Sequence, residues 1–227
     1  MNQKISCLNG NILKWIAIIT MVIDHVGAIL FPQYDMFRIV GRIAFPLFAF
    51  LLVEGYVHTS NIKKYMVRLL VFAFIAEIPF DIAMYSQPFY WGHQNIFWTL
   101  FLGLLVLLLL ERVQKRFSGG LLIGFFAGVA IMVVSQLLHT DYGAGGVVLI
   151  FVLFYFREKQ WLKYFLMAII FLLGFGPMQL FGLIAVIPMM LYNGQRGNYS
   201  MKYFFYLFYP CHLIVLQLIW MIMNGVL

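Results

Sequence analysis

The sequence predicts an all-α protein, a polytopic transmembrane helix bundle of about nine spans that forms a single domain over residues 1–227. Three observations carry that expectation. Hydrophobic residues make up 64% of the 227 and charged residues only 10%, with a mean hydropathy of +0.94; soluble domains hold about 25% charged residues. The apolar residues fall in runs long enough to cross a bilayer, which takes about 20 residues of helix. All but two of the basic residues fall in alternate connections between those runs or at the ends of the runs beside them.

The runs, in order, cover residues 14–31, 42–57, 65–85, 95–110, 119–138, 143–156, 161–175, 177–192 and 203–223. Runs six and seven are short for a full crossing and fit thin, tilted or re-entrant segments. Gly174-Phe175-Gly176-Pro177 predicts a tight turn between runs seven and eight. The segments 1–14, 58–68, 111–118, 157–163 and 193–202 hold Lys4, Lys14, Lys63, Lys64, Arg68, Arg112, Lys115, Arg116, Arg157, Lys159, Lys163, Arg196 and Lys202, which is 13 of the 15 basic residues. Cytoplasmic loops collect Lys and Arg, so the alternation predicts the N-terminus inside and the C-terminus outside. The first run keeps Asp24-His25 and is followed by no small-residue cleavage site, which favours a retained span over a leader.

Several function classes recede at this stage. The formal net charge of +7 is explained by the basic loops, and nothing else points to nucleic acid. Cys7 and Cys211, far apart in sequence, suggest neither a disulfide framework nor a metal site. His93, His139 and Asp141 lack ligand spacing, so no metal is expected.

What remains is a set of polar residues in apolar surroundings, where each costs several kcal/mol (order of magnitude) unless paired or wetted. Asp24 and His25 fall in the outer half of the first span. The carboxylate either orients the imidazole or, since neighbours on a helix point about 100° apart, pairs with an arginine and leaves His25 free. Arg38 and Arg42 are the two basic residues that oppose the topology bias; four apart, they share a helix face and suit a phosphate, a carboxylate or an oxyanion. Glu54 lies about 18 Å of helix from Arg42 and belongs with the inner rim, a candidate partner of Arg68. Pro46 between them is a candidate kink. Glu77 and Asp81, again four apart, would answer the arginines or share a proton. His93 and Asn95 enter the fourth span, and Tyr209 and His212 make a polar site around Pro210 in the ninth, His212 reading as a cavity-lining or structural residue rather than a base.

The segments Ile18-Ile19-Thr20-Met21…Ile23-Asp24-His25, Gly41-Arg42-Ile43-Ala44-Phe45-Pro46 and Glu54-Gly55-Tyr56 resemble the TraX family of conjugal-transfer membrane proteins. Glu77-Ile78-Pro79-Phe80-Asp81, Gln94-Asn95-Ile96-Phe97, Tyr142-Gly143 and Phe208-Tyr209-Pro210-Cys211-His212-Leu213 extend the resemblance, which runs from about residue 12 to 215 in the same order. A histidine in the first span and an Arg-x-x-Phe-Pro helix opening also resemble the wider integral-membrane acyltransferase superfamily. The resemblance implies acetylation of a pilin N-terminus with acetyl-CoA as donor, and a catalytic histidine that falls on His25.

Under that reading His25 is the base, Asp24 orients it, and Arg42 stabilises the tetrahedral oxyanion. Arg38, Glu77, Asp81, His93, Asn95, Tyr209 and His212 would bind the acceptor, a protein N-terminus or a small polar molecule. Arg68, Lys63 and Lys64 on the cytoplasmic rim would hold the phosphates of CoA. The donor must then reach from the inner face to an outer-half site. Two other classes stay open: an ion-coupled transporter using Asp24, His25, Glu77 and Asp81 as a proton relay, and a non-enzymatic assembly factor for conjugation or secretion.

Overall fold

The computed structural model describes residues 6–199 and 202–226; Lys4 and the side chain of Lys202, both counted in the charge pattern above, lie outside them. Every regular element among the described residues is helical, and the two isolated β-bridges, Leu8 with Tyr192 and Gln94 with Thr140, only tie chain ends and loops together.

Helix α1 (Gly10–Ile29) starts where the Asn9 side chain accepts from the N–H groups of Asn11 and Ile12, satisfying two of the donors a helix start leaves open. α2 (Asp35–Gly41) folds back on it, and α3 (Ala44–His58) follows after a break at Arg42-Ile43. α4 (Ile62–Tyr85) is capped by Asn61, and α5 (Ile96–Arg116) by Asn95. α6 (Gly120–Leu137), α7 (Gly143–Tyr155) and α8 (Gln160–Gly174) follow as antiparallel neighbours. A 3₁₀ segment, Pro177–Ala185, continues into the short α9 (Val186–Met190), and α10 (Lys202–Met223) closes the chain. α1 packs on α2, α3 and α10, α4 on α10 and α5, and α5 on α6 and α7. Leu13, Leu47, Leu104, Leu149 and Leu213 are sealed between them. The outer side of α6 presents Leu121, Phe125 and Phe126, as a lipid-facing helix does.

Among the described residues, five helices are long and apolar enough to cross a membrane: Gly10–Ile29, Asp35–His58 (α2 and α3 taken together), Ile96–Arg116, Gly120–Leu137 and Tyr203–Met223. Shorter apolar helices cover Gly143–Tyr155, Gln160–Gly174 and Pro177–Met190. The chain is therefore a multi-pass, all-helical membrane protein. Its connections gather at two ends. Lys14, Lys63, Arg68 and Arg196 mark a basic end, and the loops 86–95 and 139–142 lie at the far end.

Three expectations are corrected here. The connection between the first two runs, 32–41, is mostly helix: Gly27 and Gly41 carry no β-carbon, and one at either position would overlap Phe37 or Asp24, so these glycines let α2 lie directly on α1. Pro46 does not kink α3. It sits in the first turn, where the missing N–H has no partner to lose, and the chain breaks before it. The eighth run, 177–192, is largely 3₁₀, with Gly182 against the Arg42 carbonyl and Phe171, where a β-carbon would meet both.

Candidate functional site

The α1–α2 contact places Asp24 beside both arginines. Arg38 Nη1 donates to Asp24 Oδ2 at 2.7 Å, and Arg42 Nη2 donates to Asp24 Oδ1. Arg42 Nε donates to the Arg38 carbonyl at 3.1 Å, which fixes the guanidinium plane. Arg42 is buried, at 8% exposure. One carboxylate against two guanidiniums leaves the trio with a net charge of +1, and such a group stabilises negative charge nearby. Asp24 does not orient His25, as one of the two sequence alternatives had it; both its oxygens serve the arginines.

The partner of His25 comes from the other end of the chain. His25 Nδ1 lies 2.7 Å from His212 Nε2, and His212 Nδ1 lies 2.9 Å from the Phe208 carbonyl. A carbonyl only accepts, so His212 carries its proton on Nδ1 and offers Nε2 as acceptor. His25 must then donate from Nδ1, which leaves the lone pair on its Nε2. The tautomer follows from the bonding pattern alone. Both rings are buried, and Tyr209 meets His25 edge-on with centroids 5.9 Å apart.

Beneath this pair a cavity of about 490 Å³ runs in from the basic end. Lys14, Arg68 and Arg196 line its mouth together with Glu54 and His58; Met21, Phe97 and Tyr209 line its deep part. Met21 is one helical turn before His25, and Tyr209 touches it, so the deep wall of the cavity lies next to the histidine pair, although neither histidine lines it. Arg68 Nε is buried with no hydrogen-bond partner among the described residues. Lys63 and Lys64, expected as phosphate ligands, are exposed at the start of α4 and do not line the cavity, whereas Lys14 and Arg196 do line it. Glu54 faces His58 at 3.9 Å rather than Arg68.

At the far end a polar cleft of about 280 Å³ is lined by His93, Gln136, His139, Asp141, Tyr142 and Gln179 with several glycines. His93 Nε2 bonds Asp141 Oδ1 at 3.1 Å, and that bond holds the His93 imidazole above its ordinary 6.5. Tyr142 stacks flat on Phe45, centroids 3.5 Å apart, in the space Gly146 leaves between them.

Three expected ligands of the acceptor turn out to brace the fold. Glu77 accepts from the Asn95 backbone N–H, from Asn95 Nδ2 at 2.6 Å and from Trp98 Nε1 at 2.7 Å. Asn95, 0% exposed, also caps α5 and donates to the Ala73 carbonyl. Asp81, 1% exposed, accepts from the Tyr90 N–H. None of the three lines either cavity. Among the described residues no three His, Cys, Asp or Glu side chains converge as a metal site.

The sequence thus located Asp24, His25, Arg38, Arg42, Tyr209 and His212, and the fold joins them. It missed Lys14, Arg196 and Asp141 as cavity residues. Basic loop residues look alike in sequence, and only the packing of the 193–199 loop on α1 singles out Arg196: the Gly10 N–H donates to the Gln195 carbonyl at 2.7 Å, and Asn11 Nδ2 to the Tyr199 carbonyl.

Comparison with known proteins agrees with this picture. The family model described as "TraX protein" matches residues 9–220. A probable fimbrial assembly protein, FimC of serogroup H1, from Dichelobacter nodosus is 34% identical, covering 90% of this chain and 92% of that protein. An uncharacterized protein of Rickettsia prowazekii (strain Madrid E) is 38% identical over a segment covering 30% of this chain and 25% of its own. No solved structure matches. With a family match across nearly its whole length, and its first-span and ninth-span motifs meeting in one buried site, the chain belongs to the TraX family.

Proposed function

We propose that this protein is a membrane acyltransferase: it takes an acetyl group from acetyl-CoA entering at the basic end and passes it to an amine or hydroxyl acceptor presented at the far end. The observation that carries this reading is the 490 Å³ cavity, which begins among three cations and runs in to Met21 and Tyr209, the latter in ring contact with His25. Lys14 and Arg196 lie close enough to repel one another. Like charges gathered at one mouth favour an anionic ligand, and the phosphates of CoA are such a ligand. Lys14 and His25 are eleven residues apart on α1, about 16 Å of helix, so a phosphate held at the mouth leaves a long thin arm to fill the apolar depth.

In this reading the donor thioester lies against His25. His25 Nε2 takes the proton from the attacking acceptor, and His212, not Asp24, sets the tautomer that makes this nitrogen available. Arg42, whose Nη1 makes no hydrogen bond among the described residues, would face the developing oxyanion, and Asp24 and the Arg38 carbonyl hold its guanidinium in place. The cavity supplies the route from the inner face toward the His25 site, with Met21 and Tyr209 between its deep end and the histidine pair. We place the basic end in the cytoplasm, where acyl-CoA is made, in a bacterial cytoplasmic membrane. The name of the Dichelobacter nodosus relative supports a role in making a surface appendage, with a pilin N-terminus as the acceptor the family resemblance suggests. The transporter and pure assembly-factor alternatives give no account of a basic-mouthed pocket that leads toward His25.

The test is acetyl transfer by the purified protein in nanodiscs, with His25→Gln alongside. Incorporation of labelled acetyl into an amine acceptor by the wild type and its loss in the variant is the expected result. Full activity in His25→Gln would overturn the base assignment, and binding of CoA unaffected by Arg68→Gln and Lys14→Gln would overturn the cavity assignment.

A further inference from the structure

One stripe of side chains on α1 leads from the cavity mouth toward His25. Lys14, Ile18 and Met21 line the cavity, and their spacing of four and then three residues puts them on one helix face. His25, four residues beyond Met21, continues that face but does not line the cavity. The stripe is interrupted at Met21. From Lys14 to Met21 is about 10 Å of helix, and from Met21 to His25 about 6 Å more. Helical side chains lean toward the helix N-terminus, so the His25 ring tilts back over the Met21 turn. What α1 places between the end of the cavity and that ring is the Met21 side chain, buried at 7% exposure.

The aromatic parts of the deep wall are fixed. Tyr209 meets the rings of Phe97, His212 and His25 edge-on, with centroids 5.3, 5.6 and 5.9 Å away. Phe97 in turn stacks on Tyr206 at 5.9 Å and packs against Phe72. Rings enclosed in this way do not turn aside without displacing several neighbours. Met21 is different, because its unbranched thioether chain rotates freely and adapts to irregular space.

We infer that Met21 is the specificity-determining residue for the donor: it turns aside to let the acyl group reach His25, and the space it vacates limits the length of that group. The inference rests on the acyltransferase reading above and deepens it by assigning donor selectivity to one side chain. When Met21 rotates, its Cγ, Sδ and Cε leave room that matches the carbonyl carbon, oxygen and methyl carbon of an acetyl group. Beyond that room stand the packed rings of Tyr209, Phe97 and His25, so a longer chain must overlap them. The CoA phosphates stay among Lys14, Arg68 and Arg196, and the last 6 Å or so to His25 is opened by one side chain.

The test measures binding of CoA, acetyl-CoA, butyryl-CoA and hexanoyl-CoA to the purified full chain in nanodiscs, and kcat/KM for transfer from each thioester. Wild type should bind acetyl-CoA at least as tightly as CoA, and butyryl-CoA about tenfold or more weakly than acetyl-CoA. In Met21→Ala the preference should reverse, with each methylene that enters the new space adding about fourfold. Met21→Val, shorter than methionine but stiff, should fall between the two and stands in if the alanine variant does not fold. The kcat/KM ratios should follow the binding ratios. A purely structural role for Met21 would weaken all four ligands together and leave their order unchanged. Wild type that binds hexanoyl-CoA as tightly as acetyl-CoA would overturn the assignment and leave the donor reading standing. A butyryl-to-acetyl ratio unchanged in a variant that still binds CoA would do the same. If wild type binds no CoA species, the donor reading falls and the Met21 assignment falls with it.

Discussion

His25 and His212 are 187 positions apart in sequence, and their 2.7 Å contact is the centre of the candidate site. That distance is why the sequence could name both residues and not join them: a histidine in an apolar run signals burial with a purpose, but nothing in it identifies the partner. The opposite holds for Asp24, whose pairing with an arginine was one of two readings that local spacing allowed. Consequences follow for single residues. His212→Phe removes the acceptor for the His25 Nδ1 proton and frees the wrong tautomer, so acetyl transfer should drop about 100-fold with unchanged CoA binding. His212→Gln keeps an oxygen at that position and should recover much of the loss. Equal loss in both variants would argue against tautomer control. Asp24→Asn leaves two guanidiniums against one neutral amide in a nearly dry site. Removing one partner of a buried ion group costs about 3–5 kcal/mol, and a fall in Tm in detergent, larger than that of His25→Gln, is the expected readout.

At the scale of elements, the long apolar runs were legible because length and hydropathy are carried by composition. The 35–41 helix was not. Seven residues are too few for periodicity to show, and its position depends on Gly27 and Gly41 admitting close contact with α1. Nor could apolar composition distinguish the 3₁₀ geometry of 177–185 from an α-helix. The α1–α2 contact gives a direct check. Gly41→Ala would push its β-carbon into Asp24, prising α2 and both arginines away, at a cost of about 2 kcal/mol; Tm and transfer activity should fall together. The far-end loops are joined differently, through the Gln94 N–H to the His139 carbonyl at 2.9 Å and the His93–Asp141 bond. Because that bond raises the His93 value above 6.5 in the folded protein, its contribution is fully present below 6.5 and is lost as pH rises through the raised value. The Tm gap between wild type and Asp141→Asn should therefore be widest near pH 6 and narrow toward about pH 9. A gap that is flat with pH would mean that the histidine's charge takes no part in holding the loops.

At the scale of the whole molecule, the architecture is two openings on opposite ends of one helix bundle, with the paired histidines and the Asp24 trio between them. The charge pattern of the sequence predicts an orientation for such a bundle but could not show that the basic end also holds the 490 Å³ cavity, because a rim of Lys and Arg is common to membrane proteins whether or not it surrounds a pocket. The coincidence of the two gives the proposal its direction. Acyl-CoA is available on the cytoplasmic side only, so the reading requires Cys7, exposed at the basic end, to face the cytoplasm and Trp91, exposed in the far-end loop, to face outward. In a Cys211→Ser background, a membrane-impermeant maleimide should label Cys7 only after the cells are permeabilised. A cysteine introduced as Trp91→Cys, in a chain that also carries Cys7→Ser and Cys211→Ser, should be labelled in intact cells. The reverse pattern would place the basic-mouthed cavity where no CoA thioester exists, and transfer from acetyl-CoA through His25 could not then operate however well the side chains are arranged.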